Sequence, residues 1–292
     1  LAAKLWGADY ARFSTGGSTH ANQAIIFALG KPGDKIAVSR TAHRSVLSAL
    51  VLAGLEPIWM SPEIDPATGV PIGIGIAELK RALSEKPIAV LLTEPGYLGT
   101  ISDLPVLIEA AHAVDVPVIL DAAWGGHFGF HPQLPRHAFQ VGADALITST
   151  HKALPGYSAS ALLLARTTLL SAERLEQSFE TTHTTSPAGA PLASIDGVRA
   201  LLETRGEELI GNLLNNIHRF KEMVQAEFAL PIFLYPSDFP AGRFDPSKVV
   251  LRVQQLGASG VEIEQDLQAK GIRVEMADRD TIVFLATIAD SQ

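Results

Sequence analysis

The chain of 292 residues is 47% hydrophobic and 18% charged, which supplies apolar side chains for a large core and excludes a disordered protein. With no cysteine, disulfides and thiolate metal sites are excluded as well. The net charge of −8 lacks the basic footprint of a general nucleic-acid binder, and no apolar run reaches the roughly 18 residues of a membrane span, so a cytoplasmic enzyme is the expectation.

Leu1-Ala-Ala-Lys-Leu-Trp-Gly7 reads as a helix entered in its middle, without the basic-then-apolar layout of a signal peptide. Gln292 follows closely on a strand-like run at 281–285, and we expect a fragment or an incompletely recorded gene. Thr15-Gly-Gly-Ser-Thr19 immediately precedes a helical stretch at 21–29, so its amides face an anion at a helix N-terminus; an ordinary Ser/Thr cap is the alternative. Residues 35–39 read as a strand, 43–53 as a helix and 57–60 as a strand. The Gly and Pro content of 65–73 predicts a loop, and Gly73-Ile-Gly75 lacks the third glycine of a dinucleotide fingerprint. A helix is expected at 76–84, a buried strand at 88–93, and a helix at 104–114 behind a Ser102-Asp103 cap.

The apolar run 116–120 ends in Asp121, and 145–147 runs into Ser149-Thr-His-Lys152 before the turn at Pro155-Gly156 and a further apolar run, 161–165. His127 and His131 are four apart, but Gly129 and Pro132 spoil a helix there and no Glu follows His127, which argues against a metal site. Residues 175–180 lead into 181–187, read as too polar for a helix core, and 192–203 and 207–228 read as two long helices. Proline and glycine gather between Leu230 and Asp245, marking a boundary between a large domain, 1–235, and the beginning of a smaller one, 236–292, with elements at 249–253, 261–269, 272–275 and 281–285. The βαβα alternation calls for an α/β fold with a mainly parallel sheet and helices on both faces, followed by a smaller α+β domain.

Three of these stretches carry chemistry in a definite order. A strand-end lysine either leaves for solvent or, where its neutral form is favoured, condenses with an aldehyde to a Schiff base, and Lys152 stands at such a point. A strand-end aspartate such as Asp121 lies where parallel sheets bind ligands and can hold a proton on a ring nitrogen, as pyridoxal 5′-phosphate (PLP) requires. Gly17, Ser18 and Thr19 then supply a phosphate cradle.

Together with Arg40-Thr-Ala-His43, Asp121-Ala-Ala-Trp-Gly-Gly-His-Phe128 and Thr184-Thr-Ser-Pro187, these segments resemble the Orn/Lys/Arg decarboxylase family, PLP-dependent enzymes of fold type I (aspartate-aminotransferase-like). The resemblance implies decarboxylation of lysine, ornithine or arginine to an amine of polyamine biosynthesis, with another fold-type-I reaction (aminotransferase or lyase) as the alternative and a non-catalytic regulatory homologue behind both. It implies that Lys152 bears the cofactor, Asp121 holds its ring nitrogen, His43 stacks on one ring face and Ala123 packs beneath the other. Ser149 and His151 become phosphate-side contacts, with a polar strand end facing water as the alternative. Thr185 and Ser186 would reach a neighbouring active site in a homodimer or higher homo-oligomer, unless their hydroxyls only satisfy their own loop. Two positions depart from the family pattern: Ala159 stands for a common glutamine, and Ala122 for a frequent glutamate.

Overall fold

The computed structural model describes residues 1–229 and 231–290; Leu230, in the expected boundary stretch, and Ser291 and Gln292, in the expected small domain, lie outside them. The chain opens with helix α1 (Ala2–Trp6), strand β1 (Tyr10–Ser14), α2 (Gly17–Leu29), β2 (Lys35–Ser39), α3 (Arg44–Ala53) and β3 (Glu56–Met60). A short hairpin, β4 (Glu63–Ile64) with β5 (Pro71–Gly73), precedes α4 (Ile76–Ser84), β6 (Val90–Thr93), α5 (Leu104–His112), β7 (Val118–Asp121), β8 (Ala145–Ser149) and β9 (Ala161–Ala165). Helices α6 (Ala172–Thr182) and α7 (Gly189–Gln225) lead to β10 (Val249–Arg252), α8 (Gly260–Ala269), β11 (Met276–Ala277) and β12 (Thr281–Phe284).

Seven strands form one sheet in the order β1-β9-β8-β7-β6-β2-β3, in which β9 alone runs against the others. Its central strands are apolar up to their carboxyl ends because they are covered on both faces. Successive residues therefore enter opposite cores: Leu91, Ile119, Ile147 and Leu163 meet α2, α3 and α6, whereas Leu92, Leu120, Leu146 and Leu164 meet α1, α4, α5 and α7. A separate antiparallel sheet, β10-β12-β11, buries Val250 and Val283 with Leu234, Phe239 and Phe244. It is tied to the main sheet's carboxyl edge by the Asp245 amide on the Gly99 carbonyl (2.8 Å) and the Ile101 amide on that of Arg243 (2.9 Å). Among the described residues no helix is long and apolar enough to cross a membrane.

Several expected elements differ. The two helices at 192–203 and 207–228 are one helix of 37 residues. Gly206 lowers helix propensity there, but Leu202 and Ile210 on either side stay buried, and its own face abuts Phe130. Helix α6 continues through Thr181 and Thr182, whose hydroxyls bond to the carbonyls of Gln177 (2.7 Å) and Ser178 (2.8 Å) instead of leaving the helix. Asp103 occupies the N-cap of α5 without a side-chain capping bond, since Ser102 gives its hydroxyl to Glu94. The expected loop at 65–73 carries a strand of the β4–β5 hairpin, and the strand expected at 272–275 forms at 276–277, where Met276 and Ala277 pair with Val283 and Ile282. Strand β1 was not anticipated: it is only partly covered, so its side chains do not form an apolar run.

Candidate active site

Register gathers the chemical residues at one edge of the sheet. Asp121 is paired with Thr93 of β6 and Ile147 of β8, while Ser149 and Ser14 both pair with Ala161 of β9. The turns leaving β1, β7 and β8 therefore open on one cavity of about 270 Å³ at the strands' carboxyl ends, where ligands bind in such sheets. All the expected site residues line it: Gly17, Ser18 and Thr19 from the first turn of α2, His43 before α3, Asp121 and Ala123 after β7, and Ser149, His151 and Lys152 after β8.

The α2 end is built for an anion. Gly16 is its N-cap and provides no side-chain capping bond, so the first-turn amides lack the usual oxygen partner. Gly17 has φ 68°, a left-handed conformation that favours glycine, and Gly16 approaches His20 so closely that a Cβ would lie 2.8 Å from that of His20. Ser18 Oγ reaches Ser149 Oγ at 2.8 Å, joining the two turns across the cavity. His151 Nδ1 donates to the Ser160 carbonyl (2.8 Å). Ala159, the position of the family's glutamine, holds φ 62° beside Gly17, a strained conformation for a residue with a Cβ.

Asp121 is 1% exposed and forms no ion pair within 4 Å among the described residues. Its Oδ2 accepts from Asn22 Nδ2 (2.9 Å) and its Oδ1 from the Ala123 amide (3.2 Å). Burial pushes its pKa up, against those hydrogen bonds and the Lys152 charge. Asn22 Nδ2 also donates to Ser45 Oγ (3.1 Å), which bonds to His43 Nδ1 (2.8 Å). His43 Nδ1 also accepts the Ser45 amide (3.2 Å) as the cap of α3, so this nitrogen is unprotonated; burial lowers the ring's pKa and keeps it neutral. Residues 22, 43, 45 and 121 thus form one chain of hydrogen bonds beneath the cavity.

Lys152 sits in a turn closed by the Gly156 amide on the Thr150 carbonyl (2.6 Å), where a Cβ on Gly156 would collide with that oxygen. Burial lowers the Lys152 pKa, with Asp121 and Glu275 acting against it. Its Nζ lies 4.3 Å from the centre of the Trp124 ring, and Tyr97 meets that ring edge-on at 6.4 Å. An amine inclined to neutrality, a buried carboxylate served only by N–H donors, and a helix N-terminus without its side-chain cap together suit an aldehyde, a ring N–H⁺ and a phosphate. They fit PLP.

Sequence reasoning missed Asn22, Ser45, Tyr97 and Glu275. Asn22 could have been found from its place three residues after Thr19, on the same helix face. Ser45 likewise lies two residues after His43, in the first turn of the helix that His43 caps, whereas Tyr97 and Glu275 come from separate segments and carry no such signal. His127 is fully buried with Nε2 on Ser247 Oγ (2.8 Å), whereas His131 Nδ1 accepts the Gln133 amide (3.2 Å), so the two histidines serve different partners. Residues Thr184 to Pro187 are exposed and do not line this cavity, although His183 Nε2 accepts the Thr15 amide (3.2 Å).

His20, on α2, ties together the ends of β1 and α6, with Nδ1 on Ser14 Oγ (2.8 Å) and Nε2 on Thr182 Oγ1 (3.0 Å). Burial, with the nearby His183, lowers its pKa to about 4. The folded value lies below the unfolded one, so stability from neutral His20 is complete above about pH 6.5 and is lost as pH falls towards 4, by roughly 3 kcal/mol. In denaturant titrations at both ends of that range, His20→Gln is expected to remove this part of the acid destabilisation. Parallel pH dependences in wild type and variant would show that His20 is not kept neutral by the fold.

The family described as Orn/Lys/Arg decarboxylase, major domain, matches residues 1–237. An arginine decarboxylase of Bacillus subtilis (strain 168) is 36% identical over 300 residues, covering 100% of this chain and 61% of the relative. Among solved structures, the lysine decarboxylase LdcF of Francisella novicida superposes with a TM-score of 0.83 at 22% identity, covering 99% of this chain and 47% of that one. The ureidoglycine-glyoxylate aminotransferase of Bacillus subtilis superposes with a TM-score of 0.74 at 16% identity, covering 97% of this chain and 76% of that one.

Proposed function

The chain belongs to the Orn/Lys/Arg decarboxylase family, and from that membership we propose that it forms the cofactor-binding part of a PLP-dependent decarboxylase acting on arginine, lysine or ornithine. It spans 61% of the Bacillus subtilis relative, so the activity of the whole protein is part of this proposal. The observation that carries it is the convergence of Lys152, Asp121 and the α2 N-terminus on one cavity. Residues 1–235 would hold the cofactor, and 236–292, with a sheet of their own, would begin a smaller domain; the enzyme would work in the cytoplasm.

PLP, when bound, supplies the electron sink that accepts the charge left when CO2 departs. The protein's part is binding, orientation and proton placement. The first-turn amides of α2, with Ser18, Thr19, Ser149 and His151, would hold the phosphate. Asp121 would keep a proton on the ring nitrogen, its own charge being stabilised there by that proton and by Asn22. His43, kept neutral, and the small Ala123 would pack against the two ring faces. Lys152 Nζ, its basicity lowered by burial, would be the amine that binds the aldehyde carbon, and once protonated it would carry a proton to the substrate carbon. Assay of products tests the reaction: CO2 with a diamine or agmatine supports it, and a keto acid or an eliminated group would replace it with another fold-type-I reaction.

Glu275 is exposed, yet its charge is felt by Lys152, Tyr97 and Lys248. It would meet the distal cation of a basic substrate. A charge-assisted hydrogen bond of this kind is worth roughly 1.5–3 kcal/mol, so Glu275→Gln is expected to raise KM about ten- to a hundredfold with a smaller effect on kcat. Citrulline, a neutral isostere of arginine, checks the cause: the variant should lose preference for arginine over citrulline, and an unchanged preference would remove Glu275 from recognition.

The exposed Thr185 and Ser186 support a homodimer in which each subunit completes its partner's pocket. A polar loop gains little by ordering alone. Mixing Lys152→Ala with a Thr185→Ala, Ser186→Ala double variant is expected to restore activity in one site of each mixed dimer. No recovery after verified subunit exchange would leave the pockets unshared.

A further inference from the structure

Outside the cavity, one buried cation has no counterpart in the proposed chemistry. Lys248 is 4% exposed, and its Nζ has no hydrogen-bond partner among the described residues. It stands 3.4 Å from the centre of the Trp124 ring, the same ring that Lys152 Nζ approaches to 4.3 Å. Whichever face each occupies, the two nitrogens are within about 8 Å of one another, close enough for strong repulsion in a buried setting.

The scaffold holds this arrangement from both sides. The Lys248 amide donates to the Asp245 carbonyl (3.1 Å), and its own carbonyl accepts from Lys221 Nζ (2.8 Å). Its stem crosses Gly99, where a Cβ would lie 2.6 Å from Lys248 Cγ. Ser247 bonds to Asp245 Oδ1 (2.6 Å) and to His127, three residues beyond Trp124. The turn carrying Trp124 and the segment carrying Lys248 are thus fastened together.

We propose that Lys248 is a positioning residue for Lys152: its ammonium takes the Trp124 face and, as a like charge beside the cavity, favours the neutral, nucleophilic form of the Lys152 amine. The inference rests on the reading of Lys152 as the amine that bears the cofactor. A like charge next to a reactive lysine is an established way to lower its basicity. Burial brings Lys248 itself down to about 8, with Lys152 adding to the effect and Asp245 and Glu275 opposing it, so at neutral pH Lys248 keeps its proton. The other charges facing Lys152 are Asp121 and Glu275, both of which favour its protonated form against burial, which lowers its pKa. Lys221 engages the Leu234 and Lys248 carbonyls, and His43 is neutral.

The test uses cofactor-free protein. Competitive acetylation with acetic anhydride from pH 6 to 10, read by mass spectrometry on the Lys152 peptide, gives the midpoint at which Lys152 becomes reactive. Lys248→Met is expected to raise that midpoint by about one pH unit, a tenfold loss of neutral amine at pH 7, and Lys248→Arg to leave it at or below the wild-type value. Equal midpoints in all three proteins, or the same rise in both variants, would overturn the role, since only the charge should matter. If the Met variant does not fold, a Lys152 midpoint in Lys248→Arg above that of wild type overturns it equally. Borohydride fixation of PLP in the wild-type holoenzyme tests the underlying reading separately: PLP fixed to Lys152 with no midpoint shift refutes Lys248 alone.

Discussion

Lys152→Ala is expected to reduce decarboxylation by at least about a thousandfold, because an alanine methyl can neither bind the aldehyde covalently nor carry a proton to the substrate carbon. The fold should survive, since Lys152 is held by its turn, the Gly156–Thr150 bond, and not by its own ammonium. The α2 turn, Ser149 and His151 remain, so phosphate-anchored PLP should still bind, without the visible absorption of a protonated Schiff base. In wild type, borohydride should fix the cofactor to the Lys152 peptide. Reduced PLP on another lysine, or none after reconstitution, would overturn the assignment.

Asp121→Asn is the second large effect, and it separates function from stability. Turnover is expected to fall at least a hundredfold, on the order of the loss when a preorganised electrostatic partner is removed from a reacting group. Cofactor-free stability should move the other way. Burial raises the Asp121 pKa in the folded chain, so the ionised carboxylate destabilises the fold once pH exceeds the unfolded value of about 3.9, and asparagine removes that penalty. Denaturant unfolding without PLP should find the variant at least as stable as wild type at pH 7, with the advantage gone near pH 3. An asparagine variant of full activity would make Asp121 a structural residue only. A large loss of stability at pH 7 would mean that Asn22 needs the carboxylate more than burial penalises it.

The resemblance and the placement of chemistry were largely legible from sequence. Asp121 ends the apolar run 116–120, and Ser149 and Lys152 follow the run 145–147; central parallel strands are apolar in this way because both faces are covered. Gly17, with its left-handed φ of 68°, and Gly156, where a Cβ would lie 2.3 Å from the Thr150 carbonyl oxygen, mark turns that favour glycine, and these too stand out in sequence. Helix α7 did not, because a glycine amid charged residues looks like a break until the apolar face of both halves is seen on the same core.

What the sequence by itself determined is the order of elements buried on both faces, the turns between them, and the residue types a phosphate, a ring nitrogen and an aldehyde demand. Only the tertiary structure decided which partners act on them. The Asn22–Ser45–His43 chain that sets the tautomer of His43 depends on α2 and α3 packing on the same face of the sheet. Lys248, nearly a hundred residues beyond Lys152, reaches Trp124 only because the β10 segment docks on Gly99. Such pairings follow from desolvation and distance between segments remote in the chain, and neither quantity is written in the local pattern of residues.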